Sequence, residues 1–583
     1  MTRFLQIVIT KIKTLSFFKL SLIIFIIGFL TYGNTLVNGF VWDDEEQIVN
    51  NTLIQNIENL PYLFGGSTFN TAGSDSLSGL YYKPLMPLSF MINFAIWGDN
   101  AFGFHLFQIT LHFLNAILLF KLLIKIFESQ RIVNSKMLAF IIALFFTVHP
   151  GISEAVSYLS STQEVIYTFF SLLTFIFALK YLENNKLSNW LLFSLFLFLG
   201  LIGKESAITV IPIIVLYFFL FARPKILFPI LSAFPSVLFY LFLRFIVAKV
   251  SLGSSHVVPI AQASLFERII TIPYELFSYL RLFFFPKDLF ISQHFVVKQI
   301  TEPHFWGILT ILVVVTIVIL YTWIKLLQKD KLFLFFLLWT CFSLSLVLNL
   351  FPLDMTVAER WFYFPIIGIF GMIATIFTKM KVKKESGKLF LTFILGAILI
   401  LLTGRTIIRN QNWKNGLTLY TNDIQLNPEA FDLQNNYGVE LFRSGKKDEA
   451  KIHFENSIAL APNWTTNYSN LGVIYERLGD EEEAEKLYKK TLENGDYYLA
   501  VENLASLYFR QKKYSEVITF CEEQIKYRPY NLKLNYTLAI SLYQTGKITE
   551  GLKYIRITYQ LYPDTQVKNI LTIMEQGKEL KLE

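Results

Sequence analysis

Two adjacent carboxylates, Asp43 and Asp44, stand in the run Gly39-Phe40-Val41-Trp42-Asp43-Asp44-Glu45-Glu46, just after the first long apolar stretch. Trp42 is of the type that anchors at a membrane interface. Such a pair offers one general base and one partner to orient it, and the same acidic run is of a type that holds Mg2+ or Mn2+. An ordinary solvated acidic run is the bland alternative. Ionisable residues recur beside apolar stretches further along: His149-Pro150 with Glu154, Lys204-Glu205, Arg244 and Glu359-Arg360. At membrane depth each costs about 2.5–3.5 kcal/mol on insertion scales, so such groups mark function by default. Arg offers a bidentate fork and Lys a point charge, a set suited to an anion that lives in the membrane, such as a lipid phosphate or pyrophosphate. The structural alternative makes Lys204-Glu205 and Glu359-Arg360 internal ion pairs. His105 and His112 share one face of an apolar run, about 10 Å apart along a helix axis. They are satisfied core histidines or, for His105, one phosphate contact; no spacing indicates zinc. Walker, dinucleotide and nucleophile-elbow motifs are absent from the sequence.

The elements that must position these residues are apolar helices. Hydrophobic residues make up 54% of the 583, Phe alone supplies 58, and only 16% are charged, against about a quarter in soluble domains. The mean hydropathy is +0.46. The net charge of +8 gathers in short loops between apolar runs, a membrane-topology pattern rather than a nucleic-acid footprint. With Cys341 and Cys521 as its two cysteines, the chain holds no disulfide framework or cysteine metal site. Arg3, Lys11, Lys13 and Lys19 precede the first apolar run with no small-residue cleavage site after it, which reads as a retained signal anchor. Runs of span length predict about eleven crossings, centred near Phe25, Ala116, Leu144, Leu172, Ser194, Ile213, Phe239, Val314, Phe342, Gly368 and Gly396. The third and fifth are short. Basic loops at the N-terminus, 121–136, 186, 223–225, 325–331 and 379–388 alternate with loops at 43–46, 149–164, 203–205, 249–303 and 351–360. The positive-inside rule makes the first set cytoplasmic, and an odd number of crossings places everything after Arg405 outside.

Beyond Arg405 the sequence repeats. Gly438, Gly445, Ala450 and Pro462 recur at Gly472, Gly479, Ala484 and, less faithfully, Asp496. A third unit runs through Ala505, Val517, Cys521 and Pro529, and a fourth through Ala539, Gly551, Ile555 and Pro563. Small residues let paired helices approach, Phe454 and Tyr488 fill the gap, and Pro ends the second helix. This 34-residue period specifies tetratricopeptide repeats. Their groove holds an extended peptide or another protein, or the array organises a complex.

Taken in order, these strings resemble one family. They are Phe40-Val41-Trp42-Asp43-Asp44 with Ile48-Val49-Asn50-Asn51, Tyr82-Lys83-Pro84-Leu85 with Ser89, Gly103-Phe104-His105 with His112, and His149-Pro150 with Glu154-Ala155-Val156. Gly203-Lys204-Glu205 with Thr209, Ala358 through Tyr363 with Pro365, and Arg409-Asn410 with Trp413 follow. The chain resembles the transmembrane and tetratricopeptide repeat-containing O-mannosyltransferases and their bacterial relatives, members of the GT-C glycosyltransferase class. The resemblance implies a transferase using a polyprenyl-phosphate-linked sugar, with an acidic residue of the first outer loop as base. That role falls to Asp43 or Asp44, which the sequence leaves undivided. It also implies donor binding by Lys83, where the family more often has Arg, beside Lys204, Arg360, His149, Arg244 and His105, with Glu154, Glu205 and Glu359 in support. Gln108 replaces a frequent Asn, and Gly151-Ile152-Ser153 removes the second His of the usual His-Pro-x-His-Thr-Glu pattern.

The expectation is thus an all-α, polytopic membrane helix bundle followed by a soluble repeat solenoid. It has a membrane domain over 1–408 with its first outer loop at 35–102, a linker helix over 409–428 and repeats over 429–583. The expected activity is glycosyl transfer at the outer face, periplasmic or luminal, onto protein Ser/Thr presented by the repeats, with a protein or peptide as partner and no nucleic acid. A glycan ligase or polymerase with the same donor, a non-enzymatic envelope scaffold and a transporter are the competing readings.

Overall fold

The computed structural model describes residues 14–68, 81–251, 258–380, 385–495, 497–529, 531–562 and 564–580. Arg3, Lys11, Lys13, Asp496, Pro563 and residues 381–384 of the last basic loop lie outside them. All regular structure among the described residues is helical. The chain divides into two compact units, which meet in sequence between Asn427 and Pro428.

In the first unit six helices are long and apolar enough to cross a membrane: Phe17–Val37, Ala101–Ser129, Leu159–Asn184, Arg223–Val247, Phe305–Leu326 and Leu389–Asn412. Shorter apolar helices are Leu85–Trp97, Ser135–Val148, Leu187–Gly203, Glu205–Phe221, Lys331–Leu344 and Ile366–Lys379. Each of the predicted span centres falls within one of these twelve. The remaining helix, Leu85–Trp97, lies inside the predicted first outer loop. Its 13 residues reach about 20 Å at 1.5 Å per residue, short of the roughly 30 Å hydrocarbon core, so a search by length reads it as loop. A second helix in a predicted loop, Leu265–Phe284, opens on a capping box between Ser264 and Glu267. It carries Glu267, Arg268, Glu275 and Arg281 among its apolar residues, which hides it from a hydropathy search.

The core of this unit is the packing of Ala101–Ser129 against Ser135–Val148 and Leu159–Asn184. Ala116, Leu119, Phe120, Leu123 and Phe127 form a buried stripe on the first of these, at the spacing of one helical face. Elsewhere helices are brought together by missing side chains. A Cβ on Gly371 would lie 2.1 Å from the Phe336 ring, and one on Gly368 would lie 2.3 Å from Thr340 Oγ1. Helix Ile366–Lys379 therefore approaches Lys331–Leu344 at backbone distance.

The second unit is an array of paired helices: Phe431–Arg443 with Lys447–Leu460, Thr465–Leu478 with Glu481–Asn494, Tyr498–Arg510 with Tyr514–Ile525, and Leu532–Gln544 with Ile548–Leu561. Helix Thr565–Glu575 follows and packs on the last of them. The repeated positions behave as their residue types require. Ala450, Ala484, Val517 and Ile555 are fully buried. A Cβ at Gly472 would come within 2.7 Å of the Tyr488 ring, and one at Gly438 within 3.0 Å of Phe454. The first two tetratricopeptide helix pairs are thus closed by a small residue in the first helix and a large ring in the second, and in the third and fourth the buried Cys521 and Ile555 stand in the ring's place.

Candidate active site

The first outer loop is tied down at its base. Asn38 Nδ2 donates to the Asn410 carbonyl at 3.0 Å, and the Gly39 N–H to the Lys414 carbonyl at 3.0 Å. Asn410 in turn donates to the Thr31 carbonyl and accepts from Ser157 Oγ. Trp42 then takes φ 57°, a left-handed conformation that is a genuine outlier for a bulky residue and that persists where surroundings over-determine it. Its ring stacks on Tyr158 at 5.3 Å, and Tyr158 stacks on Trp413 at 5.4 Å.

Beyond this turn the two neighbouring aspartates part. Asp44 is fully buried, and both its oxygens accept hydrogen bonds: from the Ser160 N–H and Oγ at 2.7 Å each, and from the Val41 N–H at 3.1 Å. Burial pushes its carboxyl up, to about 7, against the pull of those three donors. Asp43 stays partly exposed, and its Oδ2 accepts the Tyr158 hydroxyl proton at 2.7 Å. Gln108 holds the segment that carries Tyr158 and Ser160. It donates to the Ala155 and Tyr158 carbonyls and accepts from Thr162 Oγ1, so the longer Gln at this position has a use of its own.

The cations assemble from distant parts of the chain. Arg360 is paired with Glu154, whose other oxygen accepts the Arg360 backbone N–H at 2.8 Å. The guanidinium lies 5.9 Å from the Trp42 ring centre. Lys204 is paired with Glu164. These two pairs replace the predicted alternative of neighbours bonded in sequence, because successive residues in an extended or turning backbone point apart. Lys83 is buried, with its ammonium 4.0 Å from the Tyr81 ring centre and Glu205, Lys204, Asp354 and Glu164 as its charged neighbours. Burial lowers its pKa. Arg244 Nη1 donates to Tyr240 Oη at 3.0 Å, and Tyr240 in turn lies in the field of Glu205. Asp354 neighbours both Lys83 and Arg360 and accepts the Tyr81 hydroxyl, so it joins the Lys83 and Arg360 sides of the cluster.

Two predicted site residues, His149 and Glu359, are bonded to other parts of the fold, and a third, His105, is buried at the base of the first outer loop. His149 has both ring nitrogens committed, one to the Phe283 carbonyl and one accepting the Gly151 N–H, each at 3.1 Å. It stacks on Phe283, and burial lowers its pKa to about 4, so it is neutral at pH 7 and carries no charge for a phosphate. His105 is buried against the Gly39 backbone. Glu359 accepts the Phe290 N–H at 2.7 Å. It lies beside a second buried network in which Arg409 grips Asp423 bidentately at 2.7 and 3.1 Å. His112, between Tyr363 Oη and the Thr147 carbonyl, is a satisfied core histidine. No group of three or more His, Cys, Asp or Glu arranged to hold a metal occurs among the described residues.

The residues that sequence reasoning passed over are Tyr158, Ser160, Glu164 and Asp354. Tyr158 and Glu164 stand in the loop 149–164 already marked as outer, and Asp354 in 351–360. Polar residues inside loops that carry charged candidates were the available signal.

The tetratricopeptide-repeat family matches residues 465–494. A Caenorhabditis elegans protein named protein O-mannosyl-transferase F38B6.6 is 27% identical over 76% of this chain and 63% of its own length. The human protein O-mannosyl-transferases TMTC3 and TMTC1 are each 25% identical. They cover 79% and 86% of this chain, and 54% and 61% of their own lengths. The chain therefore spans little more than half the length of the curated relatives it matches. Among solved structures, MamA from Desulfovibrio magneticus RS-1 is 18% identical with a TM-score of 0.24, covering 25% of this chain and 84% of that one. YrrB, titled a TPR protein with an unusual peptide-binding site, is 14% identical with a TM-score of 0.25, covering 27% of this chain and 85% of that one. The 86% match exceeds the share of the chain up to Asn427, so the likeness to proteins named O-mannosyl-transferases runs through the apolar helices and into the repeats.

Proposed function

We propose that the chain is a GT-C type glycosyltransferase that takes a sugar, mannosyl or a related hexosyl, from a polyprenyl-phosphate donor at the outer face of the membrane. Its acceptor is a Ser or Thr hydroxyl of a protein presented by the repeats. The observation that carries this reading is the placement of a partly exposed carboxylate, Asp43, and of the Arg360 guanidinium around one group, the Tyr158 hydroxyl, with the guanidinium 5.9 Å from the Trp42 ring centre. Lys83, Lys204 and Arg244 extend the cationic side of the cluster. The names of the relatives support the reaction class and the protein acceptor.

The outer-face assignment rests on loop charge and on parity. With the short helix Leu85–Trp97 kept at the surface the crossings are odd in number, and the Asp43 loop and the repeats share one side.

In this reaction Asp43 removes the proton from the acceptor hydroxyl as its oxygen bonds to the anomeric carbon. The bond from that carbon to the phosphate oxygen breaks, and the electron pair leaves on the phosphate. Arg360, Lys204 and Lys83 stabilise the negative charge that grows there, inside a site shielded from water where fixed charges act strongly. Tyr158 holds the Asp43 carboxylate in position through its hydroxyl. Asp44 supports the turn rather than the chemistry, because its oxygens serve Val41 and Ser160. Glu154 and Glu164 are buried counterions that aim Arg360 and Lys204.

The test is transfer of label from a radioactive polyprenyl-phosphate sugar to a Ser/Thr-containing polypeptide by membranes containing this chain. Label on the polypeptide, abolished by substituting the nucleotide-linked sugar for the lipid-linked one, supports the reading. Label confined to lipid or glycan, or none from a panel of donors, contradicts it.

A further inference from the structure

Tyr158 serves both halves of the candidate site. Its hydroxyl donates to Asp43 at 2.7 Å and lies in the field of Arg360, while its ring stacks on Trp42. The hydroxyl stands at the far end of the side chain, so a small tilt of the ring carries it through a long arc. Whatever fixes the ring therefore fixes the bond to the carboxylate.

Trp413 fixes it from outside the two outer loops. It stands in the tight turn between the last apolar helix, Leu389–Asn412, and helix Gly416–Leu426, which leads in sequence to the repeats. Its ring lies 5.4 Å from that of Tyr158 with 21° between the planes, and Trp42 stacks on the same tyrosine at 5.3 Å and 15°. Two indoles from two segments thus hold one phenol. Trp413 is fully buried, and its Nε1–H has no hydrogen-bond partner among the described residues. A buried indole usually places its N–H on an acceptor, so this one acts as a ring surface rather than as a donor.

Trp413 is itself constrained on two sides. Its N–H donates to the Asn410 carbonyl at 3.2 Å, and the carbonyl of Lys414 accepts the Gly39 N–H at 3.0 Å, which ties the turn to the loop that carries Trp42. The Arg409 guanidinium lies 5.4 Å from the Trp413 ring centre, within cation–π range. Asp423, on helix Gly416–Leu426, grips both arms of that guanidinium and holds its plane. The series of contacts runs from Asp423 through Arg409, Trp413 and Tyr158 to the Asp43 carboxylate.

We infer that Trp413 is a positioning residue for the transfer: it sets the Tyr158 ring, and through the Tyr158 hydroxyl the Asp43 carboxylate, against Arg360. Fully buried, it acts through Tyr158 and not on a substrate. The kinetic consequence rests on the proposed function; the coupling between the indole and the tyrosine hydroxyl rests on packing alone.

The test is a double-mutant cycle on the full chain in nanodiscs: wild type, Trp413→Leu, Tyr158→Phe and the double variant. Each is measured for transfer from polyprenyl-phosphate mannose to a Gly/Ser/Thr peptide, and for melting temperature. Tyr158→Phe deletes the hydroxyl and keeps the ring. Trp413→Leu is expected to lower kcat per folded molecule by about 10²-fold, the cost of about 1 Å of misplacement. KM for the donor is expected to stay within about twofold, because the cations keep their partners. The two losses are expected not to multiply: the double variant stays within about threefold of Tyr158→Phe, where no hydroxyl is left to place. Losses of melting temperature are likewise expected to fall short of additive. Trp413→Phe, which restores a stacking ring, is expected to recover most of the activity. Losses that multiply to about 10⁴-fold, a Trp413→Leu protein within about twofold of wild type, or no recovery in Trp413→Phe would overturn the role. A wild type that transfers no sugar removes the transferase instead, and the melting-temperature cycle then decides. Additive losses overturn the coupling; losses short of additive sustain it.

Discussion

The two units handle charge in opposite ways. Among the described residues the first buries three ion pairs, Lys204–Glu164, Arg360–Glu154 and Arg409–Asp423, with no side chain more than 9% exposed. In the repeats the pairs lie at the surface, many between residues three or four apart on one helix, such as Lys486–Glu483 and Lys489–Glu485. A buried pair gives little or no net stability over well-packed apolar residues, while losing one partner leaves a costly orphan. Surface pairs contribute little either way. Under the proposed function, charge retained where it is costly, around Asp43, serves the reaction, while charge retained where it is cheap serves solubility.

The largest effect that could break this contrast is in the buried pairs. Glu154→Ala strands the Arg360 guanidinium and is expected to cost about 3–5 kcal/mol, measured by unfolding in micelles. A variant as stable as wild type would show that Arg360 is not held by that carboxylate.

Next comes a pH effect confined to the first unit. Glu275, on a helix outside the apolar spans, is fully buried and bonded to Asn349 Nδ2 at 3.0 Å. Burial raises its pKa from 4.5 to about 8. The folded state therefore holds the proton that the unfolded state releases, so stability is complete below the unfolded pKa and is lost as pH rises to about 8. Melting temperatures between pH 5 and pH 9 are expected to fall more steeply in wild type than in Glu275→Gln. Parallel curves would remove Glu275 as the cause.

Two substitutions of intermediate size sharpen the comparison. Asp44→Asn keeps one acceptor and sets an NH2 group against a donor from Val41 or Ser160, for about 1–3 kcal/mol lost. Turnover per folded molecule is expected to hold. Gly371→Ala drives a methyl to 2.1 Å from Phe336 and is expected to destabilise by about 1–3 kcal/mol through overpacking. The smallest effect is in the repeats: Lys486→Ala removes an exposed pair and is expected to change stability by no more than about 0.5 kcal/mol.

What could be read from sequence divides along physical lines. Apolar runs near Phe25 or Val314 announce themselves by length, and the repeats announce themselves because Gly438, Ala450 and Phe454 return together at Gly472, Ala484 and Tyr488. Leu85–Trp97 is hidden by being too short to span, and Leu265–Phe284 by its charges. The cationic residues were visible as costly groups beside apolar runs, but their partners were not. Glu154 lies 206 residues from Arg360 and Glu164 lies 40 from Lys204, and no local pattern encodes such pairings. Asp43 and Asp44 are the same residue type side by side. They are told apart by the left-handed turn at Trp42 and by Ser160, a residue more than a hundred positions on. His149 was a candidate because of its place at a span end; its neighbours Phe283 and Gly151 make it a structural residue.

Turnover and stability of Asp43→Asn, measured beside wild type in one nanodisc preparation, decide whether Asp43 is the base. Sugar transfer is expected to fall by about 10²- to 10⁴-fold, the size of a lost general base, with melting temperature and donor-lipid binding unchanged. Transfer within about twofold of wild type, far below a general-base effect, or a loss matched by equal loss of fold or of donor binding, would contradict it.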